Sequence, residues 1–210
     1  MQIKPSILTI LIAFTFTILL STKTLAENPD STLHKIWILE SKINKASLLL
    51  EIDPRILKAV IYTERTMNFD WEDEAFDNIL ARIGLNSSLG FCQVKLKTAY
   101  WIEHQMNIPE SIFYPGDKFK GVLNVSKSPE ELIVKLNSDY QNILYAAAYI
   151  KIMLTRWSKS GFPIDNKPEI IGTLYFAGLF TRSGEERKPR TNPEASRYGM
   201  MVKENSYLFK

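Results

Sequence analysis

The sequence contains a single cysteine, Cys92, and only two histidines, His34 and His104. One cysteine excludes an intrachain disulfide, so the stability of the fold must come from packing. The two histidines stand far apart in the sequence and at no ligand spacing, and we therefore predict no metal site. A glycine pattern typical of nucleotide binding is also missing, and we predict that the protein uses no cofactor.

The one long apolar run lies at the N-terminus. A basic start, Met1–Lys4, is followed by an apolar stretch from Ile7 to Leu20 and by small residues up to Ala26. This order is typical of a secretory signal peptide, whereas a membrane-spanning helix needs about 20 mostly apolar residues. We therefore predict an exported protein, periplasmic or secreted, from which residues 1–26 are removed. If this segment stayed uncleaved, it would associate the protein with a membrane.

Residues 27–210 suit a single domain, because folded domains commonly contain about 100–200 residues. Without Lys4 and Lys23 the formal net charge falls from +3 to +1. Nucleic-acid-binding proteins usually concentrate positive charge on one face, so this balance predicts no nucleic-acid partner. The sequence contains no pattern that predicts a protein partner.

Apolar residues recur at helical spacing along most of the chain, and no segment alternates strictly enough to predict a strand. Helix starts are marked at Asp53-Pro54 and at Ser128-Pro129, where a side-chain acceptor precedes a proline. We predict a mostly α domain with little or no β structure. The predicted helices cover residues 33–50, capped by Ser31-Thr32, then 54–65, 93–105, 129 onward, 140–158, 168–180 and 195–208. One short helix is predicted within residues 66–88, and residues 107–128 are predicted to be irregular.

Glu64 belongs to the apolar stripe of the helix that begins at Pro54. Leu57, Val60, Ile61 and Glu64 are three or four residues apart and share one helix face. An apolar surrounding and the partial negative charge of a helix C-terminus both disfavour the ionised carboxylate. We therefore predict that Glu64 is protonated near neutral pH, the state that donates a proton to a glycosidic oxygen.

Four sequence blocks occur in the order typical of the lysozyme-like lytic transglycosylases. They are IDPRILKAVIYTE, which ends at Glu64, SSLGFCQVKLKTA from Ser87, NILYAAAYI from Asn142 and LYFAG from Leu174. The chain resembles these enzymes, and more loosely the goose-type lysozymes, over residues 52–208.

The resemblance implies a lysozyme-like helical domain with a long substrate groove that binds peptidoglycan glycan strands. It implies an enzyme that cuts the β-1,4 bond between N-acetylmuramic acid and N-acetylglucosamine. In that reaction Glu64 first protonates the leaving oxygen and then, as a base, helps the muramic acid hydroxyl close a 1,6-anhydro ring. The substrate-binding residues that it implies are Ser88, Gly90, Phe91, Gln93 and Tyr175.

These residue types suit sugar binding, but each has a structural alternative. Gly90 would let the backbone approach a sugar, Gln93 offers an amide donor and acceptor, and the Tyr175 hydroxyl could orient Glu64 or the substrate. Alternatively, Gly90 only forms a turn, Gln93 lies in the first turn of a helix, and Tyr175 is a core aromatic. Glu64 itself could simply end the stripe and pair with Arg65, Lys58 or a distant basic residue.

Three positions depart from the family pattern. Arg65 replaces the usual serine, so Thr63 or Thr66 would have to supply that hydroxyl. Phe176 replaces an asparagine, which removes a polar substrate contact. Cys92 stands where methionine is usual, and we interpret it as a small buried apolar residue rather than a nucleophile.

A cluster of acids follows the helix of Glu64, at Asp70, Glu72, Asp73, Glu74 and Asp77. A second carboxylate about 6.5–9.5 Å from Glu64 would activate water, and one at about 5 Å would act as a nucleophile. The cluster could equally be a solvated acidic face. The alternatives to a transglycosylase are therefore a muramidase, a lysozyme-like module that binds glycan without cutting it, and an envelope scaffold whose helices serve only partners.

Overall fold

A computed structural model of the chain describes residues 26–67 and 87–209. Within these residues, eight α-helices dominate and the only sheet has two strands, which confirms the predicted mostly α class. The helices are α1 (Pro29–Ile38), α2 (Glu40–Leu50), α3 (Pro54–Met67), α4 (Leu96–Gln105), α5 (Pro129–Leu136), α6 (Asp139–Lys159), α7 (Pro168–Ala177) and α8 (Arg197–Ser206). The strands are β1 (Ser88–Leu89) and β2 (Val94–Lys95), and short 3-10 helices cover Asp117–Phe119 and Tyr207–Phe209.

Helix α6 lies at the centre of the core and contacts α2, α3, α4, α5 and α7. Its side chains are buried around most of its circumference, which is the behaviour of a helix that is apolar on all faces. The alanines at 146–148 are almost completely buried, and their small size lets neighbouring helices approach closely. In the part of the chain that the structure describes, no helix is long and apolar enough to cross a membrane.

The helix predicted for residues 33–50 is wrong in its bounds, because it is two helices separated at Leu39. It also begins earlier, at Pro29, since the Asn28 side chain accepts hydrogen bonds from two backbone amides and precedes a proline. Thr32, predicted as part of the cap, is buried and donates its hydroxyl to Glu27 at 3.0 Å. The separation lets α1 pack on α3 while α2 packs on α6.

A β-hairpin precedes α4, and it replaces the helix start that was predicted at Gln93. Ser88 pairs with Lys95 and Leu89 with Val94 in an antiparallel register. Gln93 has a φ of 51°, in the left-handed region, so the helix cannot include it and begins at Leu96. The short helix predicted within residues 66–88 falls mainly on residues 68–86, which lie outside the described residues.

Residues 107–128 contain no α-helix and no strand, as predicted, and polar side chains tie them to the core. The fully buried Glu103 carboxylate accepts hydrogen bonds from the backbone amide and the hydroxyl of Ser126, both at 2.7 Å. Tyr145 and Lys135 also donate to Glu103. At the other end, the Asn107 side chain donates to Leu123 O at 2.7 Å. The segment is therefore anchored to α4, α5 and α6.

Helix α8 packs along α7 and α3, and this packing brings Tyr198 of α8 to Glu64 of α3. The α7–α8 contact is very close at Gly199, where an added Cβ would lie 2.0 Å from Glu169 O. Only glycine fits there, because any side chain would push the two helices apart. Predicted boundaries differ slightly here: α7 ends at Ala177 rather than residue 180, and α8 begins at Arg197, capped by Ser196.

Candidate active site

Glu64 lies in the last turn of α3, half-buried, and faces α8. The Tyr198 hydroxyl donates a hydrogen bond to Glu64 Oε2 at 2.8 Å. Burial raises the pKa of Glu64, while the Tyr198 hydrogen bond and the charge of Lys95 lower it by less, so the pKa is above that of free glutamate. The carboxyl therefore retains its proton to a higher pH than an exposed glutamate does.

The basic neighbours of Glu64 in sequence pair with other carboxylates. Lys58 Nζ lies 2.5 Å from Glu40 Oε1, and Arg65 Nε lies 2.5 Å from Glu27 Oε2. Glu64 therefore does not pair with Lys58 or Arg65. Among more distant basic residues, Lys95 is near enough for its charge to lower the pKa of Glu64.

Tyr198, which donates this hydrogen bond to Glu64, is a residue that the sequence did not single out. Ser196 caps α8 by accepting from the Gly199 amide at 3.1 Å, and the glycine contact with α7 holds that first turn in place. Burial and the neighbouring Glu64 carboxyl raise the pKa of Tyr198 well above its ordinary value, so it remains a hydrogen-bond donor. The only sequence signal is its place in the first turn of a predicted helix.

Tyr175, predicted to orient Glu64 or the substrate, directs its hydroxyl elsewhere. It donates to Cys92 O at 3.4 Å, a long hydrogen bond, and its ring lies 5.7 Å from that of Tyr149. Its pKa is raised well above the ordinary value by burial and then by the nearby Cys92 and Glu64. Tyr175 is therefore close to Glu64, but the direct hydrogen bond belongs to Tyr198.

Asn142 fixes the turn between β1 and β2, and it is a second residue that the sequence did not single out as part of the site. It is fully buried, accepts from Cys92 N at 2.6 Å and donates to Leu89 O at 2.8 Å and Leu136 O at 3.0 Å. Gly90 has a φ of 69°, and a Cβ there would lie 2.3 Å from Leu136 O. Glycine is therefore required here by the close approach of the protein's own backbone, and the approach of a sugar stays a prediction.

The other predicted substrate residues divide between the surface and the core. Ser88 and Gln93 are half-buried in the hairpin, and Gln93 Nε2 donates to Gly90 O at 3.1 Å. Phe91 is only 9% exposed and lies under the Arg65 guanidinium, 4.5 Å from its ring centroid. The Phe91 ring therefore packs in the core, and its role in substrate binding stays a prediction.

Arg65 joins three segments of the chain beside the site. Its side chain is 3% exposed, pairs with Glu27 and donates through Nη1 to Phe91 O at 2.9 Å. The backbone amide of Glu27 in turn donates to Arg65 O at 3.1 Å. Burial alone would raise the pKa of Glu27, but hydrogen bonds from Arg65 and Lys35 outweigh it and lower the pKa. Arg65 therefore holds the hairpin turn in place from the protein interior, through its hydrogen bond to Phe91 O.

The two threonines near Arg65 have hydrogen-bond partners of their own. Thr63 donates to Ala59 O at 2.7 Å and accepts from Asn205 of α8 at 2.9 Å. Thr66 donates to Tyr62 O at 2.8 Å. The Thr63 hydroxyl therefore links α3 to α8, whereas the Thr66 hydroxyl bonds within α3, and whether either replaces the serine stays open.

The remaining departures have clear positions. Cys92 is 1% exposed, and burial raises the pKa of its thiol, so it is a buried apolar residue as interpreted. Phe176 is 64% exposed and its ring stacks on that of Tyr198. The whole acidic cluster, residues 70–77, lies outside the described residues, so a solvated acidic face and a second carboxylate near Glu64 both stay open.

A separate cavity of about 780 Å³ is lined by Trp157, by α7 and by residues within 181–194, and Glu64 does not line it. At Glu64 itself the described residues provide a proton donor with a raised pKa, a tyrosine hydroxyl that orients it, and a rigid hairpin turn alongside. Such a group can protonate a leaving oxygen and later take up a proton.

No protein-family model matches the sequence, and no curated protein matches it significantly.

Proposed function

We propose that this protein is an exported peptidoglycan lytic transglycosylase in which Glu64 is the catalytic residue. The observation that carries the proposal is the half-buried Glu64 carboxyl, with its pKa raised by burial and its Oε2 held by Tyr198 at 2.8 Å. The order of the four sequence blocks supports the same function. A lysozyme-like fold with a long groove for the glycan strand is part of this proposal.

The reaction needs only one carboxyl group. Protonated Glu64 donates its proton to the oxygen that leaves with N-acetylglucosamine as the bond from that oxygen to C1 of N-acetylmuramic acid breaks. The resulting Glu64 carboxylate accepts the proton of the C6 hydroxyl, and O6 forms a new bond to C1. The product carries a 1,6-anhydro ring, no water is consumed, and Glu64 ends protonated as it began.

Tyr198 suits both steps, because a neutral hydroxyl can donate to the carboxyl oxygen without adding charge. Tyr198 would hold Oε2 and leave Oε1 to exchange the proton with the sugar. Ser88 and Gln93, on the hairpin, would offer polar groups to the glycan strand. Arg65 and Asn142 hold the hairpin in position through buried hydrogen bonds.

The test is mass spectrometry of the products after purified residues 27–210 are incubated with peptidoglycan sacculi. Wild type should release fragments with 1,6-anhydromuramic ends, and Glu64→Gln should release none while keeping the same unfolding temperature. Glu204→Gln, an equivalent change at an exposed position of α8, is the matched control and should be fully active.

Other products would contradict the proposal in distinct ways. Reducing ends in place of anhydro ends would identify a muramidase that uses water. Full activity of Glu64→Gln would remove Glu64 from the chemistry. If no variant released fragments but all bound sacculi, the protein would be a glycan-binding module.

A further inference from the structure

We propose that Phe176, stacked on Tyr198, is a sugar-binding platform that holds one pyranose ring of the glycan strand beside the bond that Glu64 protonates. This inference rests on the proposed function and names a residue that would determine how the strand is bound. It concerns the position at which the family pattern has asparagine.

Phe176 is exposed in a helix whose other large apolar residues are buried. Ile170, Ile171 and Leu174 of α7 are at most 4% exposed, whereas Phe176 is 64% exposed. A single exposed hydrophobic residue is common on protein surfaces and by itself indicates nothing. The contacts of this ring are what distinguish it.

The Phe176 ring lies parallel to that of Tyr198, with centroids 4.7 Å apart and an interplanar angle of 14°. The same Tyr198 donates its hydroxyl to Glu64 at 2.8 Å. One face of Phe176 is therefore covered by a residue that is fixed to the proposed acid, and the rest of the ring is open to solvent. The stack places an apolar ring close to the Glu64 carboxyl, with only Tyr198 between them.

A pyranose ring is chemically matched to such a surface. Its hydroxyl groups point outward around the ring, while the axial C–H groups form an apolar face that loses contact with water when it packs on an aromatic ring. The Phe176 side chain would lose little conformational entropy when a sugar binds, because its stacking on Tyr198 already restricts it. Replacing asparagine by Phe176 thus exchanges a hydrogen bond to the sugar for apolar contact with its ring.

The test measures binding in the Glu64→Gln background, where no strand is cut. The probe is peptide-free glycan strands, prepared by amidase digestion of peptidoglycan and titrated by isothermal calorimetry. Adding Phe176→Ala should weaken binding by about 10-fold, the amount expected for one aromatic contact, and adding Phe176→Tyr should keep it within about twofold. Trp37→Ala, which removes another exposed ring stacked on a neighbour, His34, is the matched control and should leave binding unchanged.

A second readout separates a binding platform from a mere support for Tyr198. In the active protein, Phe176→Ala should raise KM about 10-fold and leave kcat and the pH dependence of kcat unchanged. A displaced pH profile would show that Phe176 acts only by positioning Tyr198, and would overturn the platform.

The two proposals fail in different ways. If the Glu64→Gln variant binds glycan strands and the double variant with Phe176→Ala binds them equally well, the platform is wrong while the proposed function stands. If Glu64→Gln with Phe176 intact binds no glycan strand and wild type cuts none, the proposed function is wrong and the platform falls with it.

Discussion

Replacing Asn142 by alanine should destabilise the protein severely. The change removes three hydrogen bonds, to Cys92 N, Leu89 O and Leu136 O, at a position with no solvent exposure. Each buried backbone group left without a partner costs about 1–3 kcal/mol, so the three together should lower the free energy of unfolding by about 4 kcal/mol. That is a large part of the about 5–15 kcal/mol by which a typical domain is stable.

Urea unfolding followed by far-UV circular dichroism measures this loss. With a slope of about 2 kcal/mol per molar urea, the midpoint should fall by about 2 M. Gln141→Ala, at the neighbouring half-buried position of α6, is the control and should move the midpoint by less than a quarter of that. A loss under about 1 kcal/mol for Asn142→Ala would refute the reasoning, because it would mean that the three backbone groups find other partners.

Two further predictions concern side chains next to Glu64. Tyr198→Phe removes a hydrogen bond that lowers the pKa of Glu64, so the pH above which activity falls should rise. The rate at lower pH should drop by up to about 10-fold. If activity instead fell at a lower pH than in wild type, the role of Tyr198 would be contradicted. Arg65→Lys loses the planar fork that serves Glu27 and Phe91 O together and should lower the free energy of unfolding by about 2 kcal/mol at neutral pH. Because the pKa of Glu27 is lowered in the folded protein, this pairing stabilises above the ordinary glutamate pKa and is lost as the pH falls through the folded value. The difference between Arg65→Lys and wild type in denaturant unfolding should therefore shrink in acid, and a difference independent of pH would argue against the ion pair.

The local signals in the sequence predicted the helix of Glu64 well. Asp53 accepts from Arg55 N at 2.8 Å, Pro54 begins α3, and the apolar stripe that contains Glu64 faces the interior as its spacing indicates. These features depend on residues within a few positions of one another, which is the range over which helical periodicity and caps act.

Tyr198 could not be predicted as the partner of Glu64, because that contact depends on tertiary packing. The two residues are 134 positions apart, and they meet only because α8 approaches α7 at Gly199 and lies against α3. The break at Leu39 has a similar origin, since each half of the predicted helix packs on a different partner.

The hairpin escaped prediction for another reason. Its strands have two residues each, too few for alternation of apolar and polar residues to be visible. Asn142 begins one of the sequence blocks, but its structural role depends on three backbone groups that converge on it from two other segments.

The anchoring of residues 107–128 by Glu103 affects how the molecule opens. Segments without helices or strands are usually the first to unfold locally, at little cost in free energy. Here opening would remove the two hydrogen bonds that Ser126 donates to the completely buried Glu103 carboxyl, and among the described residues only Tyr145 and Lys135 would still donate to it. Removing hydrogen bonds from a buried carboxyl is costly, so the segment should open only when the helices around Glu103 separate as well. Residues 107–128 and the core helices α4, α5 and α6 are therefore one cooperative unit in folding.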